Sequence, residues 1–180
     1  DAILFTVGNA DHDVCSYLQL HENVRTDITL VSAGYTNRPW YVKFLKNGLE
    51  GGVRDIEINL TDKQIMRLHN FKWDTTTVTI PLTHKIRKRY GLQHDFNMKW
   101  TVAPDLLSNR RHRKIDTEKI TKRKYCSVRR AMILQIVEDN YTKRPIYFSN
   151  FKRPFIYAGL DEFFSDCGFV SKVLPFKTKN

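Results

Sequence analysis

The chain has 180 residues, of which 41% are hydrophobic, and this is enough to bury the core of one domain. Its formal net charge of +11 favours an anionic partner. Its three cysteines have no metal-ligand spacing, their odd number argues against a disulfide framework, and Cys15 and Cys167 are expected to lie in helices. No apolar stretch approaches the roughly 20 residues of a membrane span, and no signal-peptide pattern opens the chain. Because the chain starts at Asp1 and enters a strand at once, we expect residues 1–180 to be a single α/β domain cut from a longer protein.

Short apolar runs at both ends of the chain alternate with segments of helical periodicity. The runs predict strands near residues 2–7, 28–32, 146–149 and 170–176. Because strands that alternate with helices pair in parallel through right-handed crossovers, we expect a three-layer, Rossmann-like α/β sandwich with one mainly parallel sheet. The predicted core is Leu4, Phe5, Leu18, Leu30, Trp40, Phe44, Met132, Ile136, Ile146, Phe148, Phe164 and Leu174.

Capping residues and apolar periodicity place helices between these strands. The first helix is expected to begin at Asp11 or Asp13, and the second has Asn37 as its N-cap, Pro39 in its first turn and Gly48 at its end. The other predicted helices are 61–68 with a capping box at Thr61, the basic segment 83–90 closed by Gly91, 128–140, and a last helix around Leu160, Phe163 and Phe164 ended by Gly168.

The centre of the chain predicts additional strands. Residues 75–82 are rich in β-branched side chains, and residues 96–102 alternate apolar and polar with the period of two that is typical of a half-buried strand. We expect the two segments to pair in antiparallel fashion, as a small addition to the main sheet.

Polar residues directly follow the predicted strands of the sheet. Since the carboxyl ends of parallel strands meet at one edge, where such sheets bind their ligands, these residues should line one crevice. They offer hydrogen-bonding groups without a strong nucleophile, which suits the binding of a hydroxyl-rich ligand better than chemistry on it. The candidate ligand-binding residues are Gly8, Asn9, Asp11, Tyr35, Asn37, Ser149 and Asn150.

The loop over residues 8–13 has two interpretations. Its carboxylates and its imidazole could coordinate a metal or act as acid and base. Alternatively, Asp11 or Asp13 could cap the first helix by accepting free backbone N–H bonds. The loop has neither the glycine spacing of a dinucleotide fingerprint nor that of a P-loop. We expect the capping role for Asp11, and we assign no catalytic residue, metal ligand or cofactor.

A strongly basic segment lies between residues 110 and 130. It contains ten Lys or Arg residues, and its only acidic residues are Asp116 and Glu118. Such density fits nucleic acid, phospholipid headgroups or a phosphorylated sugar, and it equally fits a loop whose charges face water. Nucleic acid is the least favoured partner, because the aromatic residues cluster at core spacing rather than on an exposed strand. The candidate anion-binding residues are Arg110, Arg111, Arg113, Lys114, Lys122, Arg123 and Lys124.

Several short motifs occur in the order in which one protein family carries them. They are Ile3-Leu4-Phe5-Thr6 with Gly8, Arg25-Thr26-Asp27-Ile28, Asn37-x-Pro39-Trp40-Tyr41, Trp100-x-Val102 and Lys143-Arg144-Pro145-Ile146-Tyr147-Phe148. At both of its ends the chain thereby resembles the soluble part of a large integral-membrane family of Bacteroidetes. That family was once classed as of unknown function and is now grouped with protein O-mannosyltransferase-like glycosyltransferases.

The resemblance implies a periplasmic accessory domain, because the transferase chemistry of the family is expected in its membrane-embedded part. Implied partners are the membrane part of the same parent chain and a glycan or anionic lipid headgroups. After the first strand the family carries an Asn before the glycine and then Asp-Asn-Asp-Thr, of which only Gly8 and the last Asp survive here. A ligand site in this loop is therefore expected to be altered or lost. The alternatives are an independent α/β enzyme, either a metal-dependent hydrolase or a glycosyltransferase, and a basic nucleic-acid-binding module.

Overall fold

A computed structural model describes residues 1–48, 56–106, 124–149 and 157–178 of the chain. The strands are β1 Ala2–Thr6, β2 Ile28–Ser32, β3 Phe71–Lys72, β4 Thr76–Pro81, β5 Asn97–Val102, β6 Asp105–Leu106, β7 Lys124–Cys126, β8 Ile146–Ser149, β9 Phe164–Asp166 and β10 Val170–Val173. The helices are α1 Asn9–Leu20, α2 Pro39–Asn47, α3 Asp62–Met66, α4 His84–Tyr90 and α5 Val128–Asn140, and Asp161–Phe163 form a 3₁₀ helix.

The main sheet has five strands in the order β2-β1-β8-β10-β9. β1 pairs in parallel with β2 on one side and with β8 on the other, with Phe5 opposite both Val31 and Phe148. Both ends of the chain therefore enter one sheet, as the sequence predicts, and the mixed α/β class is confirmed. The finer assignment to a three-layer, Rossmann-like sandwich stays a prediction.

The last part of the sheet differs from the prediction. β10 runs antiparallel to both β8 and β9, and the predicted last helix is replaced by the 3₁₀ helix Asp161–Phe163 and strand β9. Gly168 lies in the β9–β10 turn, where its φ of 85° suits glycine, and it caps no helix. The short β9–β10 connection explains why these two strands are antiparallel, because a parallel return needs a crossover of a dozen or more residues.

The two central strands pair as predicted but do not join the main sheet. β4 and β5 are antiparallel from Thr76 opposite Val102 to Pro81 opposite Asn97, and they form a two-stranded sheet of their own. Their alternate residues Val78 and Trp100 belong to the common core, so the pair packs by its face rather than extending the main sheet by its edge. A further sheet has the order β3-β7-β6.

The helix boundaries follow the capping signals with two exceptions. Thr61 forms the predicted capping box of α3, and Gly91 in the left-handed conformation ends α4. α2 begins at Pro39 with Arg38 as its N-cap, one residue after the predicted Asn37, because the fixed φ of proline suits the first helical position. α1 begins earlier than predicted, with Gly8 as its N-cap.

The predicted core is confirmed for residues of helix α5 and of strands β1 and β8, and it is wrong at two exposed side chains. Phe5, Met132, Ile136, Ile146 and Phe148 are buried, whereas Leu4, Leu30, Phe44, Phe164 and Leu174 are half-buried. The two errors are Leu18, which is 38% exposed on α1, and Trp40, which is 62% exposed in the first turn of α2. Both belong to helices whose inward face is set by other residues.

The described residues include no helix that is long and apolar enough to cross a membrane. The cysteines are free: Cys126 is buried and Cys15 lies half-buried in α1, whereas Cys167 is exposed outside any helix, contrary to its predicted helical position.

Candidate functional site

The candidate site lies where the carboxyl ends of β1 and β8 meet. The chain leaves β1 through α1 and returns as β2 on one side, whereas β8, on the other side of β1, follows α5. Neighbouring connections therefore diverge between β1 and β8, and a parallel sheet opens a ligand crevice at such a switch point. Gly8 and Ser149 stand at this place, as the sequence predicts.

Ser149 joins the two strand ends by a pair of hydrogen bonds. The backbone N–H of Val7 donates to Ser149 Oγ at 3.0 Å, and Ser149 Oγ donates to Asp11 Oδ2 at 3.0 Å. The serine is 8% exposed, and Asp11 is half-buried in the first turn of α1. The arrangement brings together Gly8, Asp11 and Ser149, three of the seven predicted crevice residues.

The predicted capping role of Asp11 is wrong. α1 has no side-chain cap bond at its N-terminus, because Gly8 rather than an aspartate occupies the N-cap position. Asp11 lies inside the first turn, where a negative charge is favoured by the helix dipole, and its carboxylate turns to Ser149. Ser149 occupies one of roughly four acceptor positions of a carboxylate, so the group can still accept hydrogen bonds from a ligand.

His12 is held beside the same strand end by Thr6. Thr6 Oγ1 lies 3.0 Å from His12 Nδ1 and 3.4 Å from the carbonyl oxygen of Val31, and Thr6 is buried. Burial lowers the pKa of His12, and the negative charge of Asp13 opposes this only in part. The imidazole is therefore neutral at pH 7.

An exposed aromatic cluster follows the carboxyl end of β2. The ring of Tyr35 lies 6.1 Å from that of Trp40 and 5.7 Å from that of Tyr41, centroid to centroid. The hydroxyl of Tyr41 accepts a 2.7 Å hydrogen bond from the backbone N–H of Ser32, and burial raises the pKa of Tyr41 to about 12. Tyr41 thus fixes the cluster to the strand end, while Tyr35 and Trp40 are 40% and 62% exposed.

The other predicted crevice residues are less closely connected. Asn37 is exposed, and within the described part of the chain no hydrogen bond or ring contact joins it or Tyr35 to Asp11. Asn9 is the first residue of α1, and Asn150 lies outside the described residues. Sequence reasoning missed Thr6 and Trp40. The period-two alternation of β1 could have found Thr6, because that residue shares a face of the strand with Leu4.

The predicted anion-binding segment falls mostly outside the described residues, which include only Lys124 of its seven candidates. Lys124 Nζ lies 3.9 Å from a carboxylate oxygen of Asp74. Two further cations of the basic segment have structural contacts, because Arg130 forms a 2.9 Å ion pair with Asp105 and Arg129 donates to the carbonyl oxygen of Gly34. The carboxyl-terminal end of the segment is therefore partly neutralised within the fold.

No group of three or more His, Cys, Asp and Glu side chains within the described ranges is arranged to hold a metal ion. Residues 1–119 match the model of a protein family described as TMEM260-associated domain 2. The chain has no match among curated proteins and none among solved structures. The matched range contains Gly8, Asp11 and the aromatic cluster of Tyr35, Trp40 and Tyr41, and it ends before Ser149.

Proposed function

The chain belongs to the TMEM260-associated domain 2 family, and we propose that it is an accessory domain of a TMEM260-like membrane protein. In this role the domain binds a hydroxyl-rich ligand, such as a glycan or a glycan-bearing acceptor, and performs no chemistry on it. The ligand lies at the carboxyl edge of the main sheet, which we take as the central layer of a Rossmann-like sandwich.

The observation that carries the proposal is the bond from Ser149 Oγ to Asp11 at the switch point between β1 and β8. It orients a carboxylate at the place where open parallel sheets bind ligands. A carboxylate accepts charge-assisted hydrogen bonds from hydroxyl groups, and these are about twice as strong as bonds between neutral groups. A sugar presents several such hydroxyls, so one oriented carboxylate both strengthens its binding and fixes its orientation.

The exposed rings of Tyr35 and Trp40 supply the apolar part of such a site. Ligand sites combine aromatic surface with a small number of placed polar groups, and the apolar faces of a sugar ring pack against aromatic rings. The two rings follow β2, the strand adjacent to β1, and Tyr41 anchors them through Ser32. We therefore extend the proposed site from Asp11 across the end of β2 to Trp40.

The resemblance to the Bacteroidetes family supports a finer proposal about the parent protein. In that proposal the parent is a protein O-mannosyltransferase-like glycosyltransferase, and the domain lies on the periplasmic face beside the membrane part of its own chain. The basic residues near 110–130 then face anionic lipid headgroups or an anionic glycan, to which a net positive charge is attracted.

The alternative of an independent enzyme has one observation in its favour, the neutral and oriented imidazole of His12. A general base must lie within hydrogen-bond reach of the group it activates. Ser149 instead donates its only proton to Asp11 and accepts a bond from Val7, so it is not paired with His12. The arrangement is consequently better suited to binding than to nucleophilic catalysis.

The proposal is tested by titrating the domain with methyl α-mannoside in a calorimeter. We expect weak, saturable binding that Asp11→Asn reduces by about ten-fold, the loss of one charge-assisted hydrogen bond. The amide oxygen that this substitution introduces would still accept the bond from Ser149, so the fold should be preserved. The matched control is Asp13→Asn, which alters an exposed carboxylate two residues away and should leave the affinity unchanged. Absence of binding, or equal loss in both variants, would overturn the proposal.

A further inference from the structure

A cavity lies beside strands β4 and β5, outside the carboxyl-edge site. Its volume is about 330 Å³, within the usual range of small-molecule sites. Its walls come from β4 and β5, the 3₁₀ segment, and residues 159 and 177. The lining residues are Thr77, Lys99, Trp100, Thr101, Gly159, Asp161, Glu162 and Lys177.

Hydrogen bonds and a close backbone contact join the segments that line this cavity and fix its shape. Trp100 Nε1 donates to the carbonyl oxygen of Ala158 at 3.1 Å, and the backbone N–H of Thr178 donates to the carbonyl oxygen of Glu162 at 2.8 Å. Gly159 has a φ of 83°, and a Cβ at this residue would lie 2.9 Å from the carbonyl oxygen of Thr101. The loop therefore touches β5 at a place that only glycine allows, so the cavity is largely formed before any ligand binds.

The charges around the cavity are arranged in two different ways. Lys177 and Glu162 form an ion pair with each other and so neutralise one another. Lys99 and Asp161 are exposed, and neither has an ion-pair partner among the described residues. One ammonium group and one carboxylate thus line the same cavity without meeting. Thr77 and Thr101 line the same cavity.

We propose that this cavity binds a small zwitterionic ligand, one that carries an ammonium group and a phosphodiester or carboxylate a few bonds apart. The ammonium group contacts Asp161 and the anionic group contacts Lys99. Such a ligand adds no net charge to a site whose four charged side chains sum to zero, so little uncompensated charge is buried. The inference is independent of the carboxyl-edge site, with which the cavity shares no residue.

The test uses glycerophosphoethanolamine as the probe, because its phosphodiester carries one negative charge against one ammonium charge. Ethanolamine and dimethyl phosphate are its two separate charged halves. Binding is followed through backbone amide shifts in ¹⁵N-labelled protein. We expect saturable shifts at Lys99, Thr101 and Gly159 with the zwitterion, at a lower concentration than either half requires. Because both charges are exposed, Lys99→Gln and Asp161→Asn should each weaken binding by about five-fold, and added salt should weaken it further.

The matched controls are Lys88→Gln and Asp95→Asn, which remove exposed charges outside the cavity and should leave binding unchanged. The proposal is overturned if either half binds as tightly as the zwitterion or if methyl α-mannoside gives the same shifts. Shifts that do not saturate at the cavity would also overturn it. The two proposals are tested with different probes. A negative result with the zwitterion therefore does not affect the proposed carboxyl-edge site, and a negative result with methyl α-mannoside does not affect the proposed cavity site. Competition by phosphatidylethanolamine vesicles then distinguishes a lipid headgroup from a soluble zwitterion.

Discussion

Helix α1 connects β1 to β2 and helix α5 leads into β8, so both adjoin strands of the main sheet, yet they bury opposite kinds of residues. In α5 the buried side chains include Met132, Ile133, Ile136 and Val137, which belong to the common core. In α1 no residue from 10 to 20 is fully buried, and polar groups are the ones that turn inward. The half-buried residues of α1 are Asp11, His12, Cys15, Ser16 and Gln19, at the spacing of one helical face.

The apolar residues of α1 point to solvent instead. Val14, Tyr17 and Leu20 are 60%, 54% and 76% exposed. The difference indicates that the two helices have different roles. Helix α5 stabilises the domain, whereas α1 presents polar groups to the ends of β1 and β8. A helix that holds a polar site against a sheet gives up apolar burial, and the core to which α5 contributes compensates.

The largest expected contrast between the two helices is in stability. Ile136→Ala removes a buried side chain of α5 and should lower the free energy of unfolding by about 2–5 kcal/mol. Leu20→Ala removes an exposed side chain of α1 and should change it by less than about 0.5 kcal/mol. Urea unfolding of both variants measures the difference. Equal losses would show that α1 also contributes to the core.

The next largest effect concerns the polar contacts at the beginning of α5. Asp105 forms a 2.9 Å ion pair with Arg130 and accepts a bond from the backbone N–H of Ser127, and both charged side chains are mostly buried. Asp105→Ala leaves the guanidinium group without its partner and should cost about 3 kcal/mol. Asp74→Ala, at an exposed pair with Lys124, should cost less than about 1 kcal/mol. Similar melting temperatures for the two variants would contradict this ranking.

A smaller effect is expected at the strand ends that α1 contacts. Ser149→Ala removes the acceptor of the buried Val7 N–H and should cost about 1–2 kcal/mol. Asp11→Asn keeps an acceptor for Ser149, so its cost should stay below about 0.5 kcal/mol. Chemical unfolding of the two variants distinguishes a hydrogen bond that stabilises the fold from a carboxylate that is available to a ligand. A large loss in Asp11→Asn would give Asp11 a structural role instead.

The smallest effect is the pH dependence contributed by His12. Burial lowers its pKa below the ordinary value of about 6.5, so the unfolded chain binds the proton more readily than the folded one. The contribution of His12 to stability is therefore complete above about pH 6.5 and is lost as the pH falls through the lowered pKa. His12→Gln should flatten the unfolding profile between pH 7 and 5, whereas His94→Gln, at an exposed site, should not. Parallel profiles for all three proteins would refute the assignment.

The sequence predicts the different roles of α1 and α5 only in part. Short apolar runs identified β1, β2 and β8, and the capping box identified α3, because these signals depend on neighbouring residues alone. The antiparallel direction of β10 and the separate β4–β5 sheet depend on contacts between distant parts of the chain. No local pattern records such contacts.

The orientation of α1 explains the errors in the predicted site. Apolar spacing placed Leu18 in the core, although its helix turns Asp11 and His12 toward the sheet. The partner of Asp11 is Ser149, which lies 138 positions away in the chain and so leaves no signal in the loop after β1. Sequence reasoning could place both residues at one edge of the sheet, but it could not predict the bond between them.

The central claim is that α1 holds its polar face at the carboxyl ends of β1 and β8 in order to bind a hydroxyl-rich ligand. The most direct measurement follows backbone amide shifts of the ¹⁵N-labelled domain during a titration with methyl α-mannoside. We predict saturable shifts concentrated at Val7, Gly8, Asp11 and Ser149, with smaller shifts near Tyr35 and Trp40. Shifts confined to other parts of the domain, or none at all, would contradict the claim.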